Sequence, residues 1–132
     1  MIKKIIIALL ILLVVVGIVG FIVLQNINQG MAALDAAEIP QIDLSQVEDG
    51  SYDGDYKATP IDVEVRVTVS NHQIADIALL KHTNGQGAPA ETIIGSVVEA
   101  QTLQVDAVSG ATYSSKAILL AISDALNIEV HR

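Results

Sequence analysis

The chain has 132 residues, no cysteine and a formal net charge of −8 at pH 7. That leaves room for one small domain beside any targeting segment, and the missing cysteine excludes disulfides, thiolate metal sites and thioether haem attachment. Nucleic acid is excluded as a partner too, because neutralising its phosphates takes clustered Lys and Arg.

Met1-Ile2-Lys3-Lys4 leads into residues 5–24, an apolar run of Ile, Leu, Val, Ala and Gly with one Phe and no polar residue. Twenty helical residues at about 1.5 Å each cover roughly 30 Å, the thickness of a bilayer's hydrocarbon core. The run is longer than the apolar core of a signal peptide. It passes into Gln25-Asn26-Ile27-Asn28-Gln29 without a small-x-small cleavage site. The expectation is therefore an uncleaved signal anchor through which the chain partners the lipid bilayer. Lys3 and Lys4 lie on its N-terminal side, so the positive-inside tendency predicts residues 1–4 in the cytoplasm and the rest outside the cell membrane.

Beyond the anchor, residues 25–132 hold all fifteen acidic residues against five basic ones, a formal charge of −10. Residues 25–47, rich in Asn, Gln, Ala, Asp and Glu with Pro40 among them, are expected to form a stalk, with a helical turn or two near Ala32–Glu38. The folded domain is expected over 48–132. Ser51–Ala58 suggests a strand containing a glycine, and Ile61, Val63, Val65, Val67 and Val69 alternate with polar residues as a strand with one wet face does. Asn71-His72 suggests the turn into a third strand, Gln73–His82. A loop over residues 83–89 follows. Pro89 suits a helix's first turn, and Ile93, Ile94, Val97, Val98 and Gln101 fall on one face of that helix. A short extended piece, Leu103–Asp106, precedes a last helix over Tyr113–Leu126, with Ile118, Leu119, Ile122, Ala125 and Leu126 facing inward. The order β-β-β-α-(β)-α predicts an α+β domain, helices packed over a curved antiparallel sheet.

The segment Ser109-Gly110-Ala111-Thr112-Tyr113-Ser114-Ser115, three positions after Asp106, carries the functional signal. Gly110 and Ala111 place no bulk beside the Thr112 hydroxyl. A helix opening just after it offers free N–H groups and a positive dipole end to a phosphate. Ser109, Ser114 and Ser115 are further hydrogen-bond donors. On spacing alone the plainer alternative is a Ser/Thr-rich N-cap after a Ser-Gly turn.

The pattern Asp-x-x-Ser-Gly-Ala-Thr-x-Ser-Ser, the element order before it and the opening Asp49–Gly54 resemble the FMN-binding domain family over about residues 48–127. That family includes the flavin-carrying subunits of the sodium-pumping NADH:quinone reductase and of the Rnf complex. The resemblance implies that Thr112 carries FMN through a phosphoester, donated from FAD by a separate flavin transferase that needs a divalent metal and reads Asp106 as part of its recognition sequence. It also implies flavin contacts from Ser109, Gly110, Ala111, Tyr113, Ser114 and Ser115, and from His82 near the ring. Tyr52 and Tyr56 are further stacking candidates, each more simply explained by core or rim packing. Larger members have a longer His-containing loop and commonly a second threonine where Ser114 stands, so this chain resembles a minimal, stand-alone version.

The function implied is a membrane-anchored, extracytoplasmic electron carrier working between a donor and an acceptor, such as a membrane quinone reductase, rather than a stand-alone enzyme. The cofactor would carry the chemistry. The alternative is a non-redox binding or sensory module with non-covalent flavin or none. His72 and His131 suggest surface residues, the three histidines are too scattered for a metal site, and no His–Ser–Asp arrangement is legible.

Overall fold

A computed structural model of the chain describes residues 1–83 and 88–127. Three strands, β1 (Gly50–Ala58), β2 (Ile61–Ser70) and β3 (Gln73–Thr83), form an antiparallel sheet in the order β1-β2-β3. β2 is central because its alternation supplies a fully apolar face: Val63, Val65 and Val67 are wholly buried, while Glu64 and Arg66 point to water. The β1–β2 turn is Thr59-Pro60, with a cis peptide bond, and brings Ala58 opposite Ile61. At the other end of the sheet Asn71 and His72 both adopt positive φ (52° and 57°). Two such residues make the type I′ turn whose twist matches that of the strands it joins.

β3 is irregular. Its register against β2 slips between Glu64 and Val65 and again between Thr68 and Val69, leaving Leu80 and Ala75 as extra residues. Bulges of this kind bend a strand and increase its twist, and they supply the expected curvature. The outer face of the sheet is open to solvent and laced with ion pairs: Arg66 grips Asp53 with two nitrogens (2.6 and 2.8 Å), and Lys81 meets Asp62 at 2.7 Å.

The inner face is covered by α3 (Thr112–Leu126), which packs on β1 and β2. Gly54 makes this possible. A Cβ there would fall inside the van der Waals radii of Ala121 O and Ala125 N, so only a glycine lets the helix lie flush on β1. Asp124 then accepts a hydrogen bond from the Asp55 N–H at 3.1 Å.

A 3-10 turn (Ala88–Thr92) leads into α2 (Ile93–Ala100), which buries Ile93 and Val97. Gln101, expected on the helix face, instead ends α2 in the left-handed conformation (φ 54°). Its side-chain amide takes the place of a fourth strand, accepting from Ile74 N (2.7 Å) and donating to Ile74 O (2.9 Å). The expected extended piece Leu103–Asp106 is corrected accordingly. It pairs with no described strand, and Leu103 is a buried anchor within a loop.

At the N-terminal end, α1 (Ile2–Ala36) runs unbroken through the change of composition at Gln25. Residues 5–24 of the helix are exposed and apolar all round, long enough to cross a membrane. Its last turns join the domain. Gly30 abuts Thr59 so closely that a Cβ would overlap Thr59 O, and Leu34 is fully buried in the core. Residues 25–47, expected as a stalk, thus supply two core side chains, Leu34 and Val47, and pass beside Gln104, which donates to Ile39 O at 3.1 Å. The helix does not stop at Gln25 because Gln, Asn, Ala and Met are adequate helix formers, and Leu34 has an apolar surface to meet. Residues 84–87 of the expected loop, and His131, lie outside the described residues.

Candidate functional site

The site is built where the loop after α2 turns into α3. The Ala111 N–H donates to Val108 O (2.9 Å), closing a four-residue turn with Gly110 third at φ +77°. Positive φ at that position is the mark of a type II turn and favours glycine. An added Cβ at Gly110 would meet nothing within 4 Å, so glycine is required here by backbone geometry and not by crowding. Ser115, fully buried, accepts a hydrogen bond from Val108 N (2.9 Å) and ties the loop to the first turn of the helix.

α3 begins at Thr112, with Ala111 as N-cap and no side-chain cap. This departs from the plainer alternative, in which the Ser/Thr residues of the motif would cap the helix. The Thr112 hydroxyl caps nothing, and Thr112 is exposed. The first N–H to find an acceptor across this end is Ser115 N, on Ala111 O. The N–H groups of Thr112, Tyr113 and Ser114 therefore have no described protein acceptor. They coincide with the positive end of the helix dipole, and no acidic residue stands in the first turn. An exposed hydroxyl, three convergent N–H donors and an unobstructed glycine turn suit an esterified phosphate.

The other candidates divide. Ser109 and Asp106 are exposed, and Tyr113 is 43% exposed beside Thr112. Ala111 and Ser114 are buried, and Ser115 is turned inward to hold the loop rather than outward to a ligand. Tyr52 and Tyr56 are half-buried against the core, and the Tyr52 hydroxyl donates to Glu48 O at 2.8 Å. His82 sits opposite Val63 on the inner face. Its side chain is 2% exposed, with Nδ1 at 3.0 Å from Glu91 Oε1 in the 3-10 turn before α2. Glu91 was not singled out from the sequence, and only its proline-led helical turn could have drawn attention to it. Asp106 also edges a shallow depression of about 490 Å³ shared with Ser96, Glu99, Ala100, Gln104 and Val105. Its carboxylates, Glu99 and Asp106, carry the wrong sign for a phosphate, and Thr112 is not part of it. The mouth of α3 is the better fit. Among the described residues no group of His, Asp and Glu is placed to hold a metal ion.

The family model of the FMN-binding domain matches residues 56–127, from the last residues of β1 to just past the end of α3. The chain belongs to the FMN-binding domain family. The match takes in the whole of the turn and helix just described and begins after the Asp49–Gly54 opening. Over 70 residues this FMN-binding domain is also 40% identical to an NADH:acrylate oxidoreductase of Vibrio harveyi. That alignment takes in 51% of this chain and 7% of the length of the relative.

Proposed function

We propose that this FMN-binding domain is a membrane-anchored electron carrier outside the cytoplasm, with FMN joined through its phosphate to Thr112. The observation that carries the reading is the exposed Thr112 at the first residue of an uncapped helix, beside three N–H groups with no described acceptor. In the proposed modification a flavin transferase uses FAD: Thr112 Oγ gains the phosphoester bond and loses its proton as the pyrophosphate linkage breaks and AMP leaves. The hydroxyl's exposure supports access by a second protein, and Asp106, exposed on the approach to the same turn, supports a recognition role. The bound flavin would supply the redox chemistry. The chain's own residues hold and orient it: Gly110 keeps the approach clear, the free N–H groups of α3 offset phosphate charge, and Tyr113 offers an aromatic face next to the attachment point.

Membership of the FMN-binding family and the oxidoreductase name of the Vibrio harveyi relative support electron transfer. The apolar stretch 5–24 of α1, with Lys3 and Lys4 before it, supports anchoring with the domain outside. Donor and acceptor are proposed as redox partners at the same membrane, such as a quinone reductase. The test is to co-express the chain with a flavin transferase and run a denaturing gel. Flavin fluorescence should migrate with the wild type and disappear in Thr112→Val; a dark wild-type band sinks the covalent reading.

A further inference from the structure

Four cationic side chains are described between residues 25 and 127, and three have carboxylate partners on the open face of the sheet: Lys57 and Lys81 with Asp62, and Arg66 with Asp53. Lys116 is the exception. It lies on α3 four residues after Thr112, and its Nζ makes no described ion pair. It donates instead to the backbone carbonyl of Asp35 at 2.8 Å. That carbonyl belongs to the last turn of α1, a helix end with no basic residue of its own. Lys116 therefore offsets, from another helix, the negative pole that α1 leaves uncompensated.

Two features of helix geometry put Thr112 within reach of the same side chain. Residues four apart on a helix are neighbours on one face, about 5–6 Å apart at Cβ. Side chains on a helix also lean toward its N-terminus, the direction in which Thr112 lies from Lys116. An ammonium has three donors, and Asp35 O uses one.

We propose that Lys116 bridges the phosphoester on Thr112 to the C-terminal carbonyl of α1, fastening the flavin-bearing end of α3 to the helix that enters the membrane. The proposal rests on the reading of Thr112 as the FMN attachment residue. A phosphodiester has two free oxygens and one negative charge, and Lys116 supplies a matching charge with donors to spare. The N–H groups at the helix mouth supply the remaining hydrogen bonds. Loading of the flavin and docking of α1 then reinforce each other, since both draw on one side chain.

The test uses the full chain co-expressed with a flavin transferase, as wild type, Lys116→Arg and Lys116→Gln. Flavin loading followed by intact mass should be about fivefold slower in Lys116→Gln, in line with an exposed charge pair, and near wild type in Lys116→Arg. Backbone hydrogen exchange at the last turn of α1 separates bridging from a merely structural role. Loading should slow that exchange in wild type and in Lys116→Arg, and leave it unchanged in Lys116→Gln. A loaded wild type whose α1 exchange matches that of its unloaded form overturns the bridge without needing any variant. So does Lys116→Gln with wild-type loading and wild-type protection. A wild type that takes up no flavin removes the underlying reading and this inference together, a result distinct from either of the others.

Discussion

The two ends of α3 obey different rules. From Ala117 onward the helix is core: Ile118 and Ile122 are fully buried, and Ala121 and Ala125 rest on Gly54 with no room for one added carbon. Its first two residues are the reverse, an exposed Thr112 and Tyr113 on an end with no side-chain cap and no described acceptor for its first N–H groups. A helix of this length would ordinarily gain about 0.5–2 kcal/mol from a Ser, Thr, Asp or Asn cap. Here the motif supplies Ser and Thr and uses none of them as the N-cap. The difference teaches that the buried part of the helix provides the rigidity, and that the stability forgone at its mouth leaves donors and a hydroxyl available to a ligand.

Substitutions should divide along that line, the largest effects falling on the buried part. Ile122→Ala should destabilise the domain by about 2–5 kcal/mol, as truncation of a buried Ile does, read from urea denaturation. An effect below about 1 kcal/mol would show that the helix is not seated as described. Gly54→Ala should cost about 1–3 kcal/mol through overpacking against helix backbone, and a thermal midpoint equal to wild type would contradict the close approach of α3 to β1.

At the mouth, Gly110→Ala should cost about 1 kcal/mol because of its positive φ, and it should slow flavin loading as well. Ala111→Ser sharpens the comparison by changing sign. A side-chain cap should stabilise the unmodified chain by about 1 kcal/mol while lowering flavin loading, since the serine oxygen competes for the N–H groups. If it raised both, the free donors would have no part in loading.

The smallest effect is a pH dependence from the open face. Hydrogen bonding to Arg66 holds the Asp53 carboxyl below its ordinary value, and hydrogen bonding to Lys81 does the same for Asp62. Groups whose pKa is depressed by folding contribute stability that is complete above the ordinary carboxylate value and lost as pH falls through the lowered folded value. Both pairs are solvent-exposed and screened, so acid should weaken the domain only slightly through them. Arg66→Gln should remove the Asp53 share of that slope and leave neutral-pH loading unchanged.

Much of this organisation was legible in the sequence, and the exceptions share a cause. The alternation Ile61–Val69 announces β2, and Asn71-His72 announces its turn, because both signals are local. The Thr112 segment was legible through its resemblance to a family. Gly54 could be placed in a strand, but its necessity depends on a helix almost 70 residues later. Gln101 looked like one more position on the face of α2, because nothing local reveals that the free edge at Ile74 needs a partner. Leu34 and Val47 were hidden in a polar segment whose composition suggests a stalk. Ser115 looked like a ligand donor for the same reason that it works as a loop tie, a small hydroxyl near a turn. In each case a long-range contact sets the role, and spacing along the chain does not carry it.

The most direct measurement is the mass of the peptide spanning Thr112, cut from protein purified out of its native membranes. One FMN added with loss of one water, on a yellow peptide in which fragmentation assigns the adduct to Thr112, is the predicted result. A peptide weighing no more than its amino acids, from protein shown to be active in its own membrane, would contradict the account.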